Sequence, residues 1–542
     1  MTRESRDHAL SRRAFLASTG GAIAGVAAHG MVGAANAQQQ SSTRDGAKRG
    51  GTLRFATRGD ARGLDPHRNI IYLVSQPLAA TTQGLLDLNL KCQPSPGIAT
   101  EWEASKDLLT YTFKLRKGAQ FHNGREVDAV AVKWNFDRIQ NPKTSHAFTR
   151  SALSNLKLTE AVDKYTVRCH LQQPSAIFPS NVVYYPCNLI APDSVEQADR
   201  HPIGCGPFKF VEWKRFEITE LARFENYYET DAEGNSLPYL DGIIGRPKKE
   251  DRVRLTALRT GEVDLIDNMA YSDASTFAKS YGDKFQTWDV PTLGTSFVRF
   301  NLDKGPFSDQ TPEGKLLRQA AAHAVDHDAV RAAVFYGRGQ TATGYYSPES
   351  PWYAEGTRPY PAFDPEKAKY LLRKAKAVGT AIDLQSLVSY PYQKQTGELL
   401  QAMWSEVGFK VSHNSYDSAV LRKKRRARDF HAASAAASYR FDPDGWFSRA
   451  VLSTSPSNKQ GSGFRHAKAD QLILEARKTP DRNKRLALYA EIDSIVNEEL
   501  PMLYLHHLTL LEAGVANLKG YQPAISGPFS TQGAGIRTAW LA

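Results

Sequence analysis

Arg440 and Asp442 are the first residues in this chain whose chemistry invites a binding role. They close the stretch Phe430 to Phe447, FHAASAAASYRFDPDGWF, where a run of small residues gives way to charged and aromatic ones. A guanidinium at Arg440, if it faces a cleft, suits a carboxylate or phosphate through paired hydrogen bonds. It can equally be a surface arginine or a salt-bridge partner of Asp442. Trp446 and Phe447 read as core. Catalytic chemistry is harder to find. The chain has no G-x-S-x-G elbow, H-E-x-x-H, phosphate loop or cysteine-histidine cluster, so no catalytic residue, metal or cofactor is assigned. His506-His507 are adjacent on a strand-like segment and point to opposite faces, which argues against a shared ion. Gly204-x-Gly206 is followed by Pro207 and a strand pattern, not by the helix a dinucleotide fingerprint needs.

The elements that must position such residues show best between Leu109 and Ile139. Leu109, Tyr111, Phe113 and Leu115 alternate with polar residues, the period of a half-buried strand that ends at Arg116-Lys117-Gly118. Asn123-Gly124 marks a turn. Asp128 then stands where it can cap a helix whose Ala129, Val132, Phe136 and Ile139 recur at spacings of three and four, and Asn141-Pro142 stops it. Further along, Asp364-Pro365-Glu366 opens a helix with proline at its first position. Ile382 to Val388, Gln393 to Val407 and Phe409 to His413 follow as strand, helix and strand, an order that implies a parallel sheet. Arg422-Lys423-Lys424-Arg425-Arg426 reads as a solvated helix face.

The order YTFKLRKG, FHNG, then a helix carrying V-K-W and D-R resembles the segment that identifies extracytoplasmic solute-binding proteins, family 5, the peptide, opine and nickel receptors of ABC importers. PSPGIATEW, GCGPFKF, SFVRFNLDKGPFSD with its following R-Q-A and A-V-D, and the segments Leu486–Glu499 and Pro501–Leu505 resemble the same family in the same order. The resemblance implies an α/β two-lobed periplasmic-binding-protein fold, type II, with an extra subdomain. On it, 50–84, 205–290 and 505–542 form lobe I, 85–204 its inserted subdomain, and 291–504 lobe II. It implies a receptor that binds a peptide-like or other small polar solute between two lobes and delivers it to a permease with cytoplasmic ATPases. It implies a monomer with no enzymatic activity or cofactor; no nucleic-acid partner is expected, because the basic charge is spread out except at 422–426 and an exported protein rarely meets nucleic acid. In peptide-binding relatives an acid three positions before an Asp/Glu-Pro pair holds the peptide amine. Here that place falls on Tyr439, or on Ser438 with a one-residue gap, so the amine anchor is missing. Ser438, Tyr439, Arg440, Asp442 and Tyr72 are the expected ligand-facing residues. The contrasting reading is an exported enzyme or redox protein on a similar scaffold.

Arg12-Arg13-Ala14-Phe15-Leu16, a Gly-diluted apolar run and Ala35-Asn36-Ala37 read as an export signal over 1–37, of the twin-arginine or general secretory type, followed by a polar leader over 38–49. Its removal takes four basic and two acidic residues, lowering the formal charge from +12 to +10. No later stretch is apolar enough to span a bilayer. Cys92, Cys169, Cys187 and Cys205 form no C-x-x-C pair; in an oxidising periplasm they are one or two disulfides, Cys169–Cys187 first, or buried thiols.

Overall fold

Two long antiparallel strands tie the molecule together. The computed structural model describes residues 46–69, 76–354, 360–437, 440–525, 529, 533 and 535–542, so the export signal, most of the leader, Tyr72, Ser438 and Tyr439 lie outside the described residues. The folded unit is Ala47–Ala542. In chain order the elements that matter here are β1 (Thr52–Thr57), β2 (Ala99–Ala104), β3 (Thr110–Leu115), α1 (Ala129–Gln140), β4 (Leu156–Asp163), β5 (Thr166–Leu171), β6 (Phe208–Lys214), β7 (Ile218–Arg223), β8 (Gly242–Pro247), β9 (Leu265–Ile266) and β10 (Phe285–Phe300). There follow β11 (Ala381–Leu387), α2 (Pro391–Val407), β12 (Lys410–Tyr416), α3 (Ser418–Arg426), β13 (Ala432–Ala437), α4 (Asp444–Ala450), α5 (Ala467–Lys478), α6 (Arg482–Glu499) and β14 (Met502–Val515).

The large sheet runs β12-β11-β13-β10-β14-β9-β1-β8-β7-β6. β10 and β14 lie at its centre, paired from Phe285↔Val515 to Arg299↔Met502 with register shifts after Pro291 and Ser296. At one end β14 pairs with β9, Leu265 opposite Gly514. At the other, β10 pairs with β13, Thr295 opposite Ala437 and Phe300 opposite Ala432. Each long strand therefore belongs to both halves of the sheet. β11, α2 and β12 form the expected parallel unit, with α2 closed by Gly408 at φ 118°, a conformation that favours glycine.

The buried apolar residues sort in the same way. One cluster runs from Phe297 to Leu505, another from Leu85 to Cys205, and a third joins residues 53–80 to 208–243 and 518–539. The second cluster is built on a separate sheet, β2-β3-β5-β4. Against it packs α1, through Val132, Phe136 and Ile139, and its Asp128 cap accepts from the Ala131 amide at 2.8 Å.

The cysteines correct one expectation. All four are buried and none is in a disulfide, so Cys169 does not pair with Cys187. Cys169 lies on β5, while the Cys187 Sγ points to the Asn181 carbonyl at 3.8 Å. Burial pushes the Cys187 and Cys205 thiols up to about 12, so neither supplies thiolate near neutral pH. His506 and His507 do face apart: His506 stacks on Phe335 at 3.8 Å, and the His507 Nδ1 meets the Thr295 hydroxyl at 3.1 Å. Among the described residues no group of three or more His, Cys, Asp or Glu could hold a metal, and no helix is long and apolar enough to cross a membrane.

Candidate ligand site

The site begins where β13 ends. Ala435, Ala436 and Ala437 leave the sheet surface bare of bulk, and beside them lies a cavity of about 440 Å³ walled by β10, α3, α4 and the loop 457–462. Six arginines line it: Arg299 from β10, Arg422, Arg425 and Arg426 from α3, Arg440 after β13, and Arg449 in the last turn of α4. None of the described lining residues is acidic.

Local structure explains each placement. Asp417 caps α3 by accepting from the Ala419 and Val420 amides, at 2.8 and 3.0 Å. With Leu421 buried below, positions 422, 425 and 426 share one helix face. Lys423 is exposed and does not line the cavity, and Lys424 is neutralised by Asp429 at 2.6 Å. Arg422 and Arg426 are exposed and Arg425 is half-buried, so the run remains largely the solvated face read from the sequence, while its arginines also line the cavity. The loop wall is pinned by buried Asn458, whose amide donates to the Val451, Leu452 and Phe464 carbonyls at 3.1, 3.1 and 2.7 Å. Gly461 lies so close to Arg299 that a Cβ there would be 3.2 Å from the Arg299 Nε; one at Gly445 would be 3.2 Å from the Arg440 Cδ. Phe297 and Trp446 floor the cavity, and Tyr345 stacks on Trp446 at 4.2 Å.

Asp442 does not pair with Arg440. Arg485 donates to both Asp442 oxygens at 2.6 Å, and the Asp444 amide donates to one of them at 3.0 Å, so the buried carboxylate fixes the turn into α4. Asp444 is taken in turn by Arg477 and Ser448, at 2.7 and 2.5 Å. Just before this turn, between Arg440 and Asp442, Phe441 packs against Tyr184, ring centroids 5.1 Å apart. Tyr184 belongs to the Leu85–Cys205 side of the molecule, so the arginine cavity opens beside a contact between the two halves.

The electrostatics follow from the crowding. Burial, and then Arg425, Arg449 and Arg428, lower the Arg299 guanidinium to about 9. Burial and Arg422 lower Arg425; burial and Arg440 lower Arg449. Neighbouring Arg428, by contrast, is ion-paired with Asp303 and donates to the Gly461 carbonyl at 2.5 Å. Among the described residues no carboxylate forms an ion pair with Arg299, Arg422, Arg425, Arg426 or Arg449.

The family model of bacterial extracellular solute-binding proteins, family 5 (middle), matches residues 93–459. The chain belongs to this family. Over 463 residues this family 5 chain is 29% identical to the dipeptide-binding protein of Escherichia coli (strain K12), covering 79% of this chain and 83% of that one. It is 27% identical to the glutathione-binding protein GsiB of Salmonella paratyphi A (strain ATCC 9150 / SARB42), covering 84% and 89%. A solved structure, the binding protein AgaA of A. tumefaciens R10 with agropinic acid, superposes with a TM-score of 0.73 at 26% identity, covering 91% of this chain and 99% of that one. The family 5 fold is the two-lobed α/β fold expected from the sequence, with β10 and β14 as its crossing strands, and the chain is a solute receptor of the kind that serves ABC importers.

Of the five expected site residues, only Arg440 lines the cavity among those described. Asp442 stands behind it, and Tyr72, Ser438 and Tyr439 are not described. Arg299 and Arg449 escaped sequence reasoning because single arginines on a strand and a short helix carry no periodic signal. The spacing of Arg422, Arg425 and Arg426, just ahead of the strand that ends near Arg440, was the legible clue.

Proposed function

We propose that this family 5 receptor binds an acidic solute between its lobes and passes it to an inner-membrane permease driven by cytoplasmic ATPases, acting as a monomer without catalysis, metal or cofactor. The observation that carries the reading is a cavity lined by arginines and by no described acid, at the strand end where peptide-binding relatives keep a carboxylate. A buried ammonium group needs an anion or good acceptors, and a carboxylate or phosphate is what paired guanidinium donors suit. Relatives differ in what their names assign them, dipeptide, glutathione and agropinic acid among them, so the scaffold itself leaves the solute open. On this reading Arg440 contacts the solute, Ser438, Tyr439 and Tyr72 complete its surroundings, and Asp442 acts through the turn it holds. The lobes divide as 50–84, 205–290 and 505–542 against 291–504, with 85–204 inserted in the first. Solute contacts on both sides favour the closed form by differential affinity, which is the state a permease can recognise.

A thermal-shift screen tests the selectivity. A solute at about 100 times its dissociation constant stabilises by roughly 2.7 kcal/mol. Acidic solutes are expected to raise the melting temperature, unblocked neutral dipeptides to leave it unchanged, and Arg440→Ala to reduce the acidic response. A strong shift with ordinary dipeptides that survives Arg440→Ala would refute the reading.

Export completes the proposal: the receptor reaches the periplasm by the twin-arginine route, on the strength of Arg12-Arg13 and a Gly-diluted apolar run. Replacing both arginines by lysine is expected to leave folded precursor in the cytoplasm. Normal periplasmic accumulation of that variant would sink the route.

A further inference from the structure

Resting on the acidic-solute reading, we infer that the arginine cavity takes a small solute bearing at least two phosphoryl groups. Charge sets the lower limit. A single carboxylate or a monoanion would leave most of the guanidiniums of Arg299, Arg422, Arg425, Arg426 and Arg449 without a matching anion, whereas the protein elsewhere neutralises such cations with acids of its own: Asp303 for Arg428, Asp429 for Lys424, Asp442 for Arg485. Like charges three and four apart on one helix face destabilise that helix, so Arg422, Arg425 and Arg426 impose a cost that an anion in the cavity relieves. The lowered position of Arg299, beside Arg425 and Arg449, is the same crowding seen from the strand.

Volume selects the group. A cavity of about 440 Å³ is at the small end of ligand sites. Each phosphoryl group brings close to two negative charges and three strong acceptor oxygens, while a carboxylate brings one charge and two oxygens. Two phosphoryl groups therefore balance about four guanidiniums, and the same charge in carboxylates needs twice as many groups. The use of arginine throughout points the same way, because its planar fork bonds a phosphoryl edge through two parallel hydrogen bonds, where lysine offers a point charge.

Calorimetric titration of the mature chain at fixed ionic strength distinguishes the alternatives, with fructose 1,6-bisphosphate, fructose 6-phosphate, inorganic pyrophosphate and citrate as probes. The bisphosphate is expected to bind about tenfold or more tighter than the monophosphate, with affinity falling steeply as salt is raised. Pyrophosphate binding as tightly as the bisphosphate would assign the cavity to phosphoryl ions themselves, and weaker pyrophosphate binding to an organic phosphate. Arg425→Gln is expected to erase most of the bisphosphate advantage, while Lys423→Gln, the same charge change at a position of α3 outside the cavity lining, leaves it intact. Equal affinity for mono- and bisphosphate, or citrate binding as tightly as bisphosphate, overturns the phosphoryl assignment while leaving the acidic-solute reading standing. If none of the four binds, and unblocked dipeptides do, both fall.

Discussion

Asp442→Asn is expected to destabilise the folded receptor by about 3–5 kcal/mol, the cost of breaking a buried ion pair from one side. Both Asp442 oxygens are held by Arg485 at 2.6 Å, and both side chains are buried, with Arg485 lying over the Trp352 ring at 4.8 Å. Losing the carboxylate charge leaves that guanidinium in a dry place with no matching anion. It also loosens the amide contact to Asp444 that sets the start of α4. Urea unfolding followed by intrinsic fluorescence measures the change, since the midpoint falls with stability at constant slope. Replacing both partners, Asp442→Leu with Arg485→Met, should recover much of the loss because no unpaired charge remains. If the single variant unfolds within about 0.5 kcal/mol of the parent, as ordinary surface substitutions do, the ion pair is not what holds this turn.

Arg138→Met should cost a similar amount, about 3–5 kcal/mol, on the other side of the molecule. Arg138, on α1, reaches Asp65 and the ring of His67, both buried, in the loop after β1. His67 is held in turn by the Asn188 carbonyl at 3.0 Å. Burial first, and then Arg138, lower the His67 imidazole from 6.5 to about 4, so the ring is neutral at pH 7 and Arg138 is the cation that answers Asp65. The sign of the pH effect follows. With the folded value below the unfolded one, the parent's unfolded state binds the extra proton between about 6.5 and 4, and stability from this group is lost as pH falls through that window. In Arg138→Met the repelling cation is gone and the carboxylate stays, so His67 protonates more readily and partly replaces the missing charge. The deficit of the variant should therefore be smaller at pH 5 than at pH 7.5. An equal or larger deficit at pH 5 would show that His67 does not respond to Arg138.

Legibility in the sequence followed the range of the signal. Short-range patterns carried far: the alternation through Leu115, the Asp128 cap, Pro365 at a helix start and Gly408 at a helix end all fall within a residue or two of the observed elements. β14 was harder, extending to Val515 rather than stopping near Leu505, because its burial on the sheet is nearly continuous and leaves no alternation to count. The site was legible only in part. Arg440 was visible through its neighbours, but the pairing of Asp442 with Arg485 spans 43 positions and depends on α6 packing against the turn. The cavity likewise draws its arginines from β10, α3 and α4, which only the β10–β13 register brings together.

Native mass spectrometry of the receptor, purified gently from the cells that make it, reads the occupant directly. The expected complex releases an acidic small solute, seen in negative-ion mode and restored when the ligand is added back to stripped protein. A released free-amine peptide that rebinds with the same mass would contradict the acidic-solute reading.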